Sequence, residues 1–386
     1  MNSYIPRIIN LEVIKRKSIF LFGPRQTGKS MLLSRLFPEA PNYNLLLSDQ
    51  YLRLSREPQL MRKEVLYRAK TNPDDQTPII IDEIQKLPIL LGDVQWLIEN
   101  TPFHFILTGS SARKLKRGAA NLLGGRALEK HLFPLTTSEL IEWDLGRLLN
   151  FGSIPSIYFS PEPFIDLKSY LGTYLKEEVS AEGLVRGIEI FSDFLDKSAL
   201  LNGELLNYAN LASDLGISAK TVKEYFHILE DTLIGQTLMP FTKTKKRKSI
   251  MTAKFYFFDV GVANVLADRK DISPKSKEYG QAFEHLVYTE LRSYLSYGSD
   301  DRSLSFWRTV NGQEVDFLLG DEVAIEVKAT TKILAKHLKG LQALSEDLTL
   351  KRKIIVSLVS SPQLQDDGIE VLPFEEFVKQ LWAKRI

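Results

Sequence analysis

Short apolar runs alternate with helical patterns in the N-terminal third of the chain. Residues 18–22 form an apolar run rich in β-formers, and leucines follow at helical spacing through residues 31–36. Residues 78–83 and 103–108 are further apolar runs that end in polar side chains, as parallel strands do when helices cover both faces of a sheet. The pattern predicts a βα-alternating domain with functional groups at the carboxyl ends of its strands.

The pattern becomes helical from residue 165 onward and returns to strands in the last part of the chain. Gly216 closes one short helix and Ser218 caps the next, which is the pattern of a helix-turn-helix. Helix, three strands, helix, strand and helix are then predicted at residues 281–295, 304–309, 313–319, 323–328, 334–344, 353–358 and 375–383. We therefore predict an α/β fold class with domains at residues 1–185, 186–272 and 273–386, of which the middle one is helical and contains a winged helix.

Composition narrows the classes of protein that fit. Of the 386 residues, 44% are hydrophobic and 25% are charged, which are the proportions of a folded, water-soluble protein. The net charge is only +2, so any affinity for nucleic acid has to come from local patches. Cysteine is absent, and no apolar run approaches the ~20 residues that a membrane helix needs. We expect a cytoplasmic protein without disulfides, thiolate metal sites or a membrane span.

An eight-residue segment between the first strand and the first helix matches the phosphate-binding pattern G-x-x-x-x-G-K-[ST] in full. It reads Gly23-Pro24-Arg25-Gln26-Thr27-Gly28-Lys29-Ser30. The glycines let backbone N–H groups turn toward phosphates, Lys29 reaches the β and γ oxygens, and Ser30 supplies a hydroxyl to Mg²⁺. The segment predicts a P-loop that binds ATP with Mg²⁺, against the alternative of a chance glycine-rich loop.

An acidic pair, Asp82 and Glu83, ends the buried run at residues 78–83. In a parallel sheet this strand end lies at the same edge as the P-loop. We predict that Asp82 holds Mg²⁺ and that Glu83 orients and deprotonates the attacking water. Without the P-loop, an acidic strand end that faces solvent would be the better interpretation.

Two further positions are candidates for a role in hydrolysis. Thr108 or Ser110, at the end of the next strand, is placed to hydrogen-bond the γ-phosphate or the water. Arg126 follows Leu-Leu-Gly-Gly at the end of a predicted helix and is a candidate arginine finger, because its charge is permanent. A structural role, in which Arg126 pins the glycine turn or pairs with a carboxylate, fits the sequence equally well.

The chain resembles the AAA-type ATPases in the order of these motifs, which are the P-loop, Ile-Asp-Glu-Ile-Gln, Leu-Thr-Gly-Ser-Ser and Leu-Leu-Gly-Gly-Arg. More narrowly, it is similar to a prokaryotic family in which such an ATPase precedes a C-terminal domain of unassigned function with a restriction-endonuclease-like, PD-(D/E)XK fold. The likeness extends from residues 4–7 through residues 170–179 to residues 257–261. Residues 151–155 depart from the Gly-Gly-x-Pro turn that relatives carry in a small helical lid.

The resemblance implies roles for particular residues. Lys29, Ser30, Asp82 and Glu83 would take the nucleotide and magnesium roles, and Ser110 or Thr108 the sensor role. Arg126 would act on the nucleotide of a neighbouring subunit, which implies a homo-oligomer. The resemblance assigns the lid to the end of residues 1–185 and the nuclease-like fold to residues 273–386.

Three carboxylates and a lysine in the last domain form a second candidate site. Asp316 and the pair Glu326 and Lys328 lie on two strands that a hairpin could bring together, and Glu284 lies on the preceding helix. Such carboxylates could bind a divalent metal that activates water at a phosphodiester, while Lys328 neutralises the phosphate. This D…ExK arrangement resembles the core of restriction-type nucleases. The alternative is a catalytically idle fold that contacts DNA or another partner.

The helix-turn-helix and a basic run suggest contact with nucleic acid. Lys220, Thr221, Lys223 and Glu224 are predicted to face outward from the second helix. The basic run at residues 243–248 carries five positive charges in six positions and could be a wing that contacts phosphates. An ordinary packed helix pair and a solvated loop are the alternatives.

The sequence as a whole predicts an ATPase that hydrolyses ATP with Mg²⁺. Its nucleotide state would be coupled to a nuclease-like C-terminal region, with double-stranded DNA as the candidate partner. One alternative is a nucleotide-gated DNA-binding regulator whose nuclease fold is inactive. Another is a protein-remodelling ATPase whose turnover ignores DNA.

Overall fold

The computed structural model of the protein describes residues 4–111, 122–174, 188–244, 246–298 and 300–386. The chain divides into two compact units, residues 1–133 with 231–233, and residues 134–230 with 234–386. The body of the helix predicted before Arg126 and the proposed boundary between residues 185 and 186 lie outside the described residues. The three-domain division therefore stays a prediction.

A parallel sheet of five strands forms the centre of the N-terminal unit. The strands are β1 (Ser18–Phe22), β2 (Asn42–Asn44), β3 (Ile79–Asp82), β4 (Phe105–Gly109) and β5 (Ala127–His131), and they lie in the order β2-β3-β4-β1-β5. Every residue of β1, β3 and β4 is buried, as expected for the middle of a sheet that is covered on both faces. The three apolar runs of the sequence are thus confirmed as strands.

The helices of this unit include three whose positions were not predicted from the sequence. The helices are α1 (Lys29–Leu36), α2 (Ser48–Arg56), α3 (Gln59–Thr71) and α4 (Leu90–Asn100). The helices α2 and α3 bury only Leu54, Met61 and Val65 between them.

The first part of the C-terminal unit is mostly helical and contains an antiparallel hairpin before its last helix. Its helices are α5 (Leu145–Phe151), α6 (Pro155–Tyr158), α7 (Pro163–Tyr174), α8 (Ile188–Leu200), α9 (Tyr208–Leu215), α10 (Ala219–Asp231) and α11 (Val260–Leu266), and the hairpin consists of β6 (Gly235–Leu238) and β7 (Lys254–Phe257). The predicted helix pair is present as α9 and α10. Gly216 ends α9 with a left-handed φ of 66°, and Ser218 caps α10 by accepting a hydrogen bond from the Thr221 amide.

The second part of this unit is a mixed sheet with helices packed against it. Its elements are α12 (Lys277–Tyr297), β8 (Leu304–Arg308), β9 (Glu314–Leu319), β10 (Val323–Lys328), α13 (Ala335–Ser345), β11 (Arg352–Ser357), β12 (Gln363–Leu364), β13 (Glu370–Pro373) and α14 (Phe374–Trp382). The strand order is β12-β13-β11-β10-β9-β8. The strand pairs β8–β9 and β9–β10 are antiparallel, whereas β10–β11 and β11–β13 are parallel. The predicted elements are confirmed, and β12 and β13 are additions. Across the described part of the chain, no helix is both long and apolar enough to span a membrane.

Glu290 on α12 joins two distant segments of the C-terminal unit. Its carboxylate accepts a 2.8 Å hydrogen bond from the Thr137 amide and another of 2.8 Å from the indole N–H of Trp382. Burial raises the pKa of Glu290 to about 7, although the two hydrogen bonds act in the opposite direction. The folded state therefore binds this proton more tightly than the unfolded chain does.

Stability should consequently depend on the titration of Glu290. Its contribution is fully present below the ordinary pKa of 4.5 and is lost as the pH rises through about 7. We expect a loss of roughly 3 kcal/mol in the free energy of unfolding across this window. Urea unfolding of Glu290→Gln should show a flatter pH profile than the parent, whereas Glu375→Gln, at an exposed position, should follow the parent. Parallel profiles for Glu290→Gln and the parent would contradict the prediction.

Candidate functional site

The loop between β1 and α1 has a backbone that larger residues could not adopt at two positions. A Cβ on Gly23 would lie 2.3 Å from the carbonyl oxygen of Leu132, so any side chain there would clash with the backbone. Gly28 precedes α1 with a left-handed φ of 93°. These constraints explain why the pattern needs glycine at both positions. The loop leads directly into the N-terminus of α1, where amide groups favour an anion.

Lys29 lies along this loop with only 6% of its surface exposed. Its Nζ donates hydrogen bonds to the carbonyl oxygens of Gly23, at 2.6 Å, and Pro24, at 3.0 Å. Arg7 braces the same loop, because Nη1 donates to the Thr27 carbonyl and Nη2 to the Phe133 carbonyl, both at 2.7 Å. Sequence reasoning treated residues 4–7 only as a feature of the family and missed this contact.

The acidic strand end meets the P-loop across β4. Ser30 Oγ donates a 2.8 Å hydrogen bond to Asp82 Oδ2, and Thr108 Oγ1 donates to Asp82 Oδ1. The Glu83 amide in turn donates a 3.1 Å hydrogen bond to Thr108 Oγ1. Hydroxyl and carboxylate oxygens are the ligands that Mg²⁺ prefers, so the side chains of Ser30 and Asp82 fit that ion. The residues predicted for this edge of the sheet lie together.

Glu83 has a left-handed φ of 61°, which is rare for a residue with a side chain. Gln85 Nε2 donates to Glu83 Oε2 and, at 3.1 Å, to Ser110 Oγ. Ser110 Oγ itself lies 3.4 Å from Glu83 Oε2. Gln85 is buried and was missed as a site residue, although it stands in the quoted string Ile-Asp-Glu-Ile-Gln. Strained backbone at a carboxylate that other side chains orient is typical of functional sites.

Arg126 lies at the amino ends of the strands, whereas the P-loop lies at their carboxyl ends. The parallel register pairs Ser18 with Ala127 and Phe22 with His131, so Arg126 precedes β5 where the strands begin, whereas the P-loop follows the end of β1. Arg126 Nη2 lies 2.5 Å from Glu99 Oε1 in an ion pair. Within one chain, Arg126 therefore pairs with a carboxylate and does not reach the P-loop.

The hairpin of β9 and β10 brings the three D…ExK residues together. Lys328 Nζ lies 2.6 Å from Glu326 Oε1 and 3.6 Å from Asp316 Oδ2. Asp316 Oδ2 also accepts a 2.7 Å hydrogen bond from the Val327 amide. Burial raises the pKa of Glu326, and the neighbouring Asp316 raises it further.

Glu284, the fourth predicted residue of this group, is paired with a lysine that sequence reasoning missed. Lys254 Nζ on β7 lies 3.2 Å from Glu284 Oε1 and 2.7 Å from Glu314 Oε1. Two lysines thus already neutralise these carboxylates. Over the described ranges, no three acidic or histidine side chains are arranged to hold a metal ion. Glu326 Oε2 is buried and has no hydrogen-bond partner among the described residues, so the metal roles of Glu284, Asp316 and Glu326 stay a prediction.

The predicted DNA-binding features have different surroundings. Lys220, Lys223 and Glu224 on α10 are exposed, as predicted. In the basic run, however, Arg247 lies 2.6 Å from Glu346 and 3.1 Å from Asp347, and it also donates to the Ala343 carbonyl. Lys245 of the same run lies outside the described residues. Arg247 of the basic run is therefore bound to the end of α13, so the run is not a fully solvated loop.

Three segments of the chain match known families. Residues 15–141 match the profile of a family described as an AAA domain. Residues 142–273 and 279–377 match two domains of unknown function, DUF8612 and DUF4143. The first match supports an AAA-type ATPase domain in the N-terminal unit.

Uncharacterized proteins from two organisms are similar over most of the chain. One from Methanocaldococcus jannaschii is 24% identical over 96% of this chain and 88% of its own length. One from Haemophilus influenzae is 23% identical over 93% of each chain. Among solved structures, a Walker-type ATPase of Pyrococcus abyssi matches 67% of this chain and 95% of its own at 17% identity, with a TM-score of 0.45. A signal-transduction ATPase with a tetratricopeptide repeat sensor from Pyrococcus horikoshii matches 76% and 46% at 18% identity, with a TM-score of 0.25.

Proposed function

We propose that the protein binds ATP at the loop of residues 23–30 and hydrolyses it at the adjoining acidic edge. The observation that carries this proposal is the chain of contacts from Ser30 through Asp82 and Thr108 to the Glu83 backbone. It links a phosphate-binding loop to a carboxylate that can act as a base. The match of residues 15–141 to an AAA domain supports the same function.

The side chains divide the work of hydrolysis. Lys29 moves from the Gly23 and Pro24 carbonyls to the phosphate oxygens when nucleotide binds. Ser30 and Asp82 would hold Mg²⁺, whose charge offsets that of the phosphates. Glu83 accepts the proton of the attacking water. Gln85 and Ser110 orient the Glu83 carboxylate, because both contact Glu83 Oε2. Ser110 or Thr108 would be the sensor of the γ-phosphate.

We propose an oligomer, because an arginine-finger role for Arg126 requires the nucleotide of a second copy. Because Arg126 lies at the edge of the sheet opposite to the P-loop, it can stabilise phosphoryl charge only on the nucleotide of a second copy. Its ion pair with Glu99 would then be exchanged for that contact. Exposed apolar side chains near the acidic edge, Leu46, Leu47 and Leu52, support a second copy as the partner, since Leu46 and Leu52 line one cavity with Gln85.

For the C-terminal unit we propose a restriction-endonuclease-like fold. We propose that this unit binds DNA as part of a nucleotide-gated regulator and does not cleave it. The order α12, three strands, α13 and β11 supports the fold. The pairing of Lys254 with Glu284 and Glu314 favours the regulator over metal-dependent cleavage. The α9–α10 pair followed by the β6–β7 hairpin supports a winged helix, whose exposed Lys220 and Lys223 would contact phosphates of double-stranded DNA.

Measuring ATP turnover with and without double-stranded DNA tests this coupling. We expect DNA to stimulate turnover several-fold at low salt, and we expect the stimulation to fade as salt is raised. The double variant Lys220→Glu/Lys223→Glu should lose the stimulation but keep basal turnover. A control variant, Lys332→Glu/Lys336→Glu, carries the same charge change at exposed positions elsewhere and should respond like the parent. Turnover that ignores DNA in all three proteins would favour a protein-remodelling ATPase.

A further inference from the structure

Four carboxylates converge in the C-terminal unit from three elements. Glu284 comes from α12, Glu314 and Asp316 from β9, and Glu326 from β10. Asp316 and Glu326 are 6% and 7% exposed, so water shields their charges poorly. Lys328 Nζ lies 3.6 Å from Asp316 Oδ2 and 2.6 Å from Glu326 Oε1. The side chains of Glu284 and Glu314 are 23% and 25% exposed and remain for a second cation.

Lys254 supplies such a cation from a distant part of the chain. Its side chain is 4% exposed, and its Nζ contacts Glu314 at 2.7 Å and Glu284 at 3.2 Å. It lies over the ring of Phe306, with its Nζ 5.2 Å from the ring centroid. Lys254 is the first residue of β7, where its backbone pairs with Leu238 in the hairpin.

The chemistry of this contact excludes a metal ion from the same oxygens. A divalent ion needs carboxylate oxygens at about 2.0–2.6 Å. To bind here it would have to displace the ammonium group from Glu284 and Glu314. Burial alone would lower the pKa of Lys254, but Glu284, Glu314 and Asp316 raise it above its ordinary value, so the lysine keeps its charge.

Lys328 does not have the same role. It is part of the D…ExK pattern, lies two residues from Glu326 on the same strand, and its side chain is 30% exposed. Lys254 belongs to the hairpin that follows α10 and carries Tyr256, whose hydroxyl donates a 2.5 Å hydrogen bond to Glu284 Oε1. One strand of the hairpin thus presents both a cation and a hydroxyl to the cluster.

We infer that Lys254 is an internal cation that keeps a divalent metal ion from Glu284 and Glu314 and fastens the β6–β7 hairpin to the C-terminal sheet. Two backbone bridges support the fastening, because Pro240 pairs with Phe306 and Ser249 pairs with Thr309. The C-terminal unit then has a nuclease-like arrangement closed by its own side chain. This inference does not depend on ATP hydrolysis.

Thermal unfolding in nucleotide-free buffer, with EDTA or with millimolar MnCl₂, tests the inference. We expect the shift in melting temperature from EDTA to Mn²⁺ to be the same in the parent as in Asp316→Asn. Lys254→Met should lower the melting temperature in EDTA by a few degrees, because it removes the ammonium group from Glu284 and Glu314. Mn²⁺ should restore much of that loss, because a ligand that binds only the folded state stabilises it. The restoration should disappear in Lys254→Met/Asp316→Asn.

Lys332→Met is the control for the lost charge, because Lys332 is exposed, and it should melt like the parent with and without Mn²⁺. Folded Lys254→Met that gains no stability from Mn²⁺ would overturn the inference. If Lys254→Met does not fold, Mn²⁺ binding by the parent and by Asp316→Asn tests the inference instead. Electron paramagnetic resonance should then detect equal Mn²⁺ binding by the parent and by Asp316→Asn, and weaker binding by Asp316→Asn would overturn the inference.

Discussion

Replacing Glu83 with glutamine is expected to lower kcat for ATP hydrolysis by at least about 100-fold, with ATP affinity close to that of the parent. The side-chain amide of the variant keeps an oxygen that can accept the hydrogen bond from Gln85, but this oxygen cannot take a proton from water. The backbone N–H at position 83 would still donate to Thr108 Oγ1, so the local backbone should not change. Steady-state turnover, together with equilibrium binding of labelled ATP, separates the two effects.

Glu57→Gln is the matched control for this experiment. Glu57 is exposed at the end of α2, so its replacement removes the same charge away from the acidic edge. We expect parental turnover from this variant. A Glu83→Gln protein that hydrolyses ATP at the parental rate would rule out Glu83 as the base, whatever its contacts.

The second large effect is expected on binding. Lys29→Ala should weaken ATP affinity by about 10- to 100-fold, because it removes a charged donor to the phosphates, and such a hydrogen bond contributes about 1.5–3 kcal/mol. Turnover should fall with it. The same change leaves the Gly23 carbonyl without the 2.6 Å hydrogen bond from Nζ, so the variant's melting temperature must be measured alongside.

Lys63→Ala on α3 provides the comparison, since Lys63 is exposed and the variant has the same change in net charge. It should bind ATP like the parent. If folded Lys29→Ala also bound ATP with parental affinity, the loop of residues 23–30 would not be the nucleotide site.

Much of the fold was predictable because its strongest signals are local. The apolar runs that became β1, β3 and β4 are fully buried, and complete burial leaves a continuous hydrophobic pattern. By contrast, β12 is only two residues long and exposed, and β2 has three residues, of which one is buried. Such short edge strands exist through backbone pairing with a neighbour, which leaves little trace in the hydrophobic pattern.

The candidate sites divide in the same way. The loop of residues 23–30 and the polar residues at the ends of β3 and β4 were predictable, because the carboxyl ends of parallel strands lie on one side of the sheet. Sequence reasoning missed Arg7 and Lys254, which reach their partners across long stretches of chain. It predicted Lys328 beside Asp316 and Glu326, but it predicted Glu284 as a metal ligand without its partner Lys254. Pattern and spacing show which side chains share an element, but not which distant charge the fold places beside them.

The account rests on nucleotide binding by the P-loop. Equilibrium dialysis of labelled ATP against the purified parent, with Mg²⁺ and then with EDTA, measures it directly. The account predicts uptake of one ATP per chain, tighter with Mg²⁺ because Ser30 and Asp82 offer two oxygen ligands. Absence of measurable uptake in the presence of Mg²⁺ would contradict it.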